Sequence, residues 1–150
     1  KLKWPNDVLI EGRKVAGILT ESRMEANRLK HSIVGIGMNV HLDQSDFPPE
    51  LRDIAVSVKS AGASVSRGDL LVEILALLND AVYQDPSDLR AAWSDRCTHW
   101  GERVRVERDQ GTVEGKAVGL AEDGSFVIEL DDATLFPVHA GDVTHLRMET

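Results

Sequence analysis

From Gly101 onward the apolar residues fall at every second position, in five short runs that leave little room for anything but strands and turns. These are Val104 and Val106, then Val113 to Leu120, then Phe126, Ile128 and Leu130, then Leu135 to Val138, then Val143 to Leu146. A period of two places one apolar face on each strand. Turn residues stand between the runs, at Asp109-Gln110-Gly111, Asp123-Gly124, Asp131-Asp132 and Gly141-Asp142. Five short strands in the final third predict a small β-barrel over residues 101–150.

The period differs elsewhere. Between about 66 and 100 it is helical: Leu71, Ile74, Leu75, Leu78, Ala81 and Val82 recur at i, i+3, i+4 and i+7. Ser66 with Asp69 three residues later forms a capping-box-like start, and the stripe predicts a helix with one core-facing side. Asp85-Pro86 ends that helix, and Leu89, Ala92, Trp93, Cys97 and Trp100 mark a second one. From Lys1 to about His41 the chain reads as a strand meander: Val8 to Ile10, a turn at Glu11-Gly12, Val15 to Leu19, then Ile33 to Val40 beyond a polar stretch around Asn27. The near-continuous apolar runs there predict strands buried on both faces. Asp43 to Ala63, with Phe47-Pro48-Pro49, reads as a long surface connection.

Composition removes several function classes. Lys and Arg number 17 against 25 Asp and Glu, a net charge of −8, and no basic run exceeds a dipeptide. Phosphate backbones are held by clustered cations, so nucleic-acid binding through this segment is not expected. Ile74 to Leu78 is the longest apolar run, far short of the roughly 20 residues that span a bilayer. No secretory leader is expected from the residues at Lys1, and a strand that starts at once predicts a piece of a longer protein. The single cysteine, Cys97, fits a reducing cytoplasm and reads as a core residue rather than a nucleophile. His31, His41, His99, His139 and His145 form no i, i+4 pair, and Cys97 with His99 is no zinc set. Serine-hydrolase and phosphate-loop patterns are absent.

Three stretches carry residues suited to chemistry. In Lys3-Trp4-Pro5-Asn6-Asp7 a stiff proline corner holds a cation, an amide and a carboxylate together; taken alone, the run reads first as an edge-strand proline before an Asx turn. In Gly12-Arg13-Lys14-Val15-Ala16-Gly17-Ile18-Leu19, Gly17 allows a ligand close to the backbone and Lys14 offers a point charge for an anion, or else Gly12 serves a turn and Lys14 is solvated. In Gly35-Ile36-Gly37-Met38-Asn39-Val40, alternating glycines invite a bulky neighbour, either an adjacent element or a ligand. Asn39 needs hydrogen-bond partners there, and a satisfied core amide is the alternative to a contact residue.

Taken together and in this order, the three stretches closely resemble the catalytic domain of biotin protein ligases. The helices and the barrel also look like that family, so the resemblance covers essentially the whole chain. It implies an α+β fold, with a mixed or antiparallel sheet and packed helices over residues 1–100, followed by an SH3-like β-barrel over 101–150. It also implies a two-step acyl transfer, in which biotin and Mg-ATP give biotinyl-adenylate and a lysine of a carboxylase's biotin carrier domain takes up the biotinyl group.

By match to the family's motifs, Lys14 would hold the biotin carboxylate and then the adenylate. Lys3, Asn6 and Asp7 would face the nucleotide and the reacting centre, with Asp7 accepting a proton from the acceptor lysine. Gly17 and Gly35 would let backbone meet biotin, and Asn39 would contact the adenylate side. The resemblance implies ATP, Mg2+ and biotin as cofactors and substrates, with no protein metal site and a cytoplasmic location. The family's glycine- and arginine-rich loop occurs nowhere in these 150 residues, so this segment alone is expected to have little activity. Two other readings are a lipoate ligase of related fold and a non-enzymatic module that docks carrier proteins. An exposed sheet edge would also allow pairing of two copies.

Overall fold

A computed structural model describes residues 1–26 and 28–146. It divides into two compact units, one of Asn6–Ile74 and one of Lys1–Pro5 with Leu75 onward.

The first unit is built on three antiparallel strands, β2 (Asp7–Ile10), β3 (Arg13–Glu25) and β4 (Arg28–Met38). β1 (Leu2–Lys3) precedes them in the chain and lies in the other unit. The β3–β4 ladder runs from Ala16↔Met38 to Glu25↔Arg28, well past the apolar runs that announced the two strands. Its outer end is held by polar pairs, Ser22 Oγ to Ser32 Oγ at 2.7 Å and Lys30 to Glu25 at 2.6 Å. Backbone pairing continues through polar sequence because cross-strand polar contacts serve it as well as apolar ones do. Asn27, at the centre of the polar stretch, lies outside the described residues.

One face of this sheet is packed: Val15, Ala16 and Val56 are buried, with Val8, Ile10, Met38 and Val58 against them. The expectation of strands buried on both faces fails beyond Gly17. Leu19 and Ile33 are 61% and 60% exposed, and no described residue covers them. The connection from Asp43 to Ala63 is more than a surface strap. It has two short 3-10 turns, Gln44–Asp46 and Pro49–Leu51, and then sends Val56 and Ser57 into full burial. Burial is possible because its backbone is paired: the Lys14 N–H donates to Ile54 O at 2.8 Å and the Val56 N–H to Lys14 O at 3.0 Å.

α1 (Arg67–Ala81) starts as its cap foretold, with the Asp69 N–H donating to Ser66 Oγ at 3.0 Å. Its stripe is not core-facing, since Leu71, Leu75 and Val82 are exposed and the helix buries no residue within the described chain. α2 (Pro86–Ser94) begins at the proline that ends the preceding turn, because Pro suits the first helical position and Asp85 caps it through the Ser87 N–H at 2.7 Å. It stops at Ser94, so Cys97, bridged in parallel to Leu2, and Trp100, in the turn beyond, follow it rather than continuing its face. No helix among the described residues is long and apolar enough to cross a membrane.

The second unit ends in β5 (Arg103–Arg108), β6 (Gly111–Leu120), β7 (Phe126–Glu129), β8 (Leu135–Val138) and β9 (Asp142–His145), all antiparallel and ordered β8-β7-β6-β5-β9. The alternation read from sequence is the burial pattern: Val104, Val106, Ala117, Phe126, Ile128, Val138 and Val143 point inward. Gly115 has to be glycine, as a Cβ there would stand 2.5 Å from Glu129 O and run into Ile128 Cγ2. Trp4 joins this core, stacked on Phe126 at 5.3 Å, and Trp100 stacks on the same ring at 5.4 Å. β1 is fixed alongside, with the Leu2 N–H donating to Arg96 O and the Thr98 N–H to Leu2 O.

Phe126→Ala removes the ring that Trp4, His99 and Trp100 all touch. It is expected to cost roughly 3–5 kcal/mol in denaturant unfolding; a loss under about 1 kcal/mol would contradict the packing described. Four exposed carboxylates give a pH signature. Ser87 holds Asp85, Ser125 holds Asp123, Arg103 holds Asp131 and Thr134 holds Asp132, each below the usual carboxylate range. Stability from such groups is complete above the unfolded-state value of about 3.9 and is lost as pH falls through the lower folded values. Thermal scans are expected to show Tm level between about pH 7 and 5 and falling below about pH 4; a Tm unchanged down to about pH 2.5 would contradict it.

Candidate functional site

A bulge in β3 decides which side chains meet. Asp7 pairs with Gly17 and Val8 with Ala16, but Leu9 pairs with Lys14, leaving Val15 as an extra residue. Cross-strand partners share a face and residues two apart share a face, so Asp7, Leu9, Lys14 and Gly17 all lie on one side. Without the bulge, Lys14 and Gly17, three positions apart, would point to opposite sides. Val15 itself turns into the core at 3% exposed. The Lys14 backbone is held from two directions, by the β2 register and by Ile54 and Val56.

On that side Lys14 Nζ forms an ion pair with Asp7 Oδ1. The Asp7 side chain is 17% exposed and the Lys14 side chain 48%, so the pair is open to solvent from the lysine end. A positive charge with an accessible flank, held by a replaceable carboxylate, suits an anionic ligand. The floor beside it is bare. Gly17 pairs with Gly37 and Leu19 with Gly35, which puts all three glycines on the face of Lys14. A Cβ on Gly37 would meet nothing within 4 Å, and one on Gly35 only Leu19 O at 3.7 Å, so the space above them is open.

The remaining candidates are placed differently. Asn39 Nδ2 donates to Val56 O at 3.3 Å, its N–H donates to Val15 O and its carbonyl accepts from Val58, so it is a satisfied amide that ties the end of β4 to the bulge. Asn6 accepts the Ile18 N–H through its carbonyl at 2.9 Å, and its side chain is exposed. Lys3 belongs to the barrel unit and ion-pairs with Asp142 at 3.8 Å. Trp4 is a core residue of that unit. Lys3-Trp4-Pro5-Asn6-Asp7 is therefore divided between two units rather than gathered at one corner.

Cys97 is half-buried, and burial pushes its thiol up, which makes it a poor nucleophile. Among the described residues no group of three or more His, Cys, Asp or Glu is placed to hold a metal ion. The alternating pair Gly35 and Gly37 was legible in the sequence, since residues 35 and 37 of any strand share a face. The Val15 bulge was not, because nothing in Lys14-Val15-Ala16 marks an extra residue.

Residues 1–39 match the Biotin/lipoate A/B protein ligase family, and residues 99–146 match the Biotin protein ligase C terminal domain. The Bifunctional ligase/repressor BirA of Bacillus subtilis is 34% identical over 148 residues, which is 95% of this chain and 45% of that protein. The chain belongs to the biotin protein ligase family.

Other members agree. The Biotin--[acetyl-CoA-carboxylase] ligase of Mycobacterium tuberculosis is 35% identical over 97% of this chain and 53% of its own length. The chain thus spans about half the length of these relatives. Among solved structures, the apo biotin protein ligase of Aquifex aeolicus superposes with a TM-score of 0.78 at 27% identity, over 98% of this chain and 65% of that one. The same enzyme in complex with biotin and ATP gives a TM-score of 0.77, over 98% and 62%. The α+β architecture and the C-terminal SH3-like barrel are those of this family.

Proposed function

We propose that the protein carrying this chain is a biotin protein ligase, which activates biotin with ATP and transfers it to a lysine on the biotin carrier domain of acetyl-CoA carboxylase or a related carboxylase. One observation carries the reading: Lys14, paired with Asp7, stands over bare glycine backbone in a chain similar to a ligase solved with biotin and ATP.

The chemistry follows from that pair. A biotin carboxylate matches the Asp7 carboxylate in charge and hydrogen-bonding capacity, so it replaces Asp7 beside Lys14 without leaving the ammonium unpaired. Held there, a carboxylate oxygen attacks the α-phosphorus of ATP. The bond to the bridging oxygen breaks and pyrophosphate departs with its electron pair, while Lys14 opposes the negative charge that gathers at the reacting oxygens. In the second step the acceptor lysine's amine attacks the acyl carbon, AMP leaves, and Asp7, freed from Lys14, takes the amine proton. Gly17 leaves room for the end of Lys14 and Gly35 for biotin against the backbone, and Asn6 faces the nucleotide.

Mg2+ bound to ATP would offset phosphate charge. The reading includes a cytoplasmic protein, with one free cysteine, and no nucleic-acid partner for this acidic segment. It also includes two copies pairing along β4, the outer strand of the β2-β3-β4 sheet.

Calorimetric titration of the full-length protein with biotin, and with lipoate as the competing substrate, tests the reading. Biotin is expected to bind and lipoate not, and Lys14→Ala is expected to weaken biotin at least about tenfold, equivalent to about 1.4 kcal/mol. Preference for lipoate, or unchanged biotin affinity in Lys14→Ala, would overturn it.

A further inference from the structure

The geometry points to Gly17 as a positioning residue that seats the Lys14 ammonium on Asp7, rather than a surface that touches ligand directly. This deepens the proposed ligase reading and, for its effect on turnover, rests on it. Asp7 and Gly17 are direct cross-strand partners, and the bulge at Val15 brings Lys14 onto their face. The lysine chain then has to cross the strand above Gly17 to reach the carboxylate. A Cβ at Gly17 would stand 3.3 Å from both Cε and Nζ of Lys14 and 3.8 Å from Asp7 Oδ1. A methyl group there would be in tight contact with the ammonium, which would have to give by a few tenths of an ångström.

The consequence of filling it is specific. The crowded atoms are the far end of a flexible side chain, so the strand keeps its path and Lys14 gives way instead. Alanine also suits a strand interior better than glycine does, which removes any backbone penalty. Gly17→Ala should therefore leave the fold intact and push the end of Lys14 a few tenths of an ångström out of its seat on Asp7. Gly37 offers the contrast: it lies in the same row and on the same face, yet a Cβ there meets nothing.

The test has a ligand-independent arm and a catalytic arm, both in the full-length protein. In the first, acetylation of Lys14 by limiting acetic anhydride is timed by peptide mass spectrometry. Gly17→Ala is expected to raise the Lys14 rate several-fold, Asp7→Asn to raise it similarly, the double variant to add nothing, and Gly37→Ala to leave it unchanged. A Lys14 rate unaltered by Gly17→Ala overturns the proposal.

In the second arm, kcat/KM for biotinyl-adenylate formation is measured for Gly17→Ala, Lys14→Ala and the pair, with Tm followed alongside. Gly17→Ala is expected to lose at least tenfold with Tm nearly unchanged, and to cost nothing further once Lys14 is alanine, because two residues acting through one group are not additive. The same fold-loss recurring in the Lys14→Ala background would mean that Gly17 meets the ligand itself, and overturns the proposal. The two readings fail separately. A faster Lys14 reaction in Gly17→Ala, with no adenylate formed by the wild type, keeps the seat and removes the ligase. An unchanged reaction, with adenylation abolished by Lys14→Ala, keeps the ligase and removes the seat.

Discussion

One extra residue in β3 sets the arrangement of the first unit. Val15 has no partner in β2, so the strand on either side of it is out of phase, and Lys14 comes onto the side that Asp7 and Gly17 already face. The same step sends Val15 inward against Val56, which couples the placement of the lysine to the formation of the core. A bulge of this kind is maintained because undoing it would expose Val15 and bury the Lys14 ammonium, and an unpaired buried charge is far more costly than a lost methyl contact.

The segment from Ile54 to Lys59 holds that arrangement. It accepts from and donates to the Lys14 backbone through Ile54 and Val56, and it meets the end of β4 through Val58 and Lys59. Asn39 closes the set by donating its side-chain amide to Val56 O. The bulged backbone, which β2 alone leaves partly unsatisfied, is thus paired by a connection distant in sequence. In the second unit Trp4 is bound in the same non-local manner, stacked with Phe126 inside the barrel core. Two residues apart in one short run, Trp4 and Asn6 thus serve different units.

How much of this the sequence disclosed depended on whether local pattern or distant contact determined the outcome. The barrel was legible because its period-two alternation is local, and Val104, Val106, Phe126 and Ile128 are buried as that alternation requires. The Ser66 cap and the proline start of α2 were legible for the same reason. Lys14, Asp7 and Gly17 were singled out by residue type and given their roles by the family resemblance, but that they share a face depends on the Val15 bulge. The burial of β4 and of the α1 stripe was misjudged because apolar sequence states what a face needs and not whether the chain in hand supplies it. Ile33 and Leu71 remain exposed here. The role of Ile54–Lys59 was hidden because backbone pairing leaves no mark on side-chain identity.

The most direct test is a crystal structure of the full-length protein with biotin bound. The account predicts the biotin carboxylate beside Lys14 Nζ, in the place Asp7 holds without ligand, with the ligand lying over Gly35 and Gly37. Biotin bound away from that face, with the Lys14–Asp7 pair undisturbed, would contradict it.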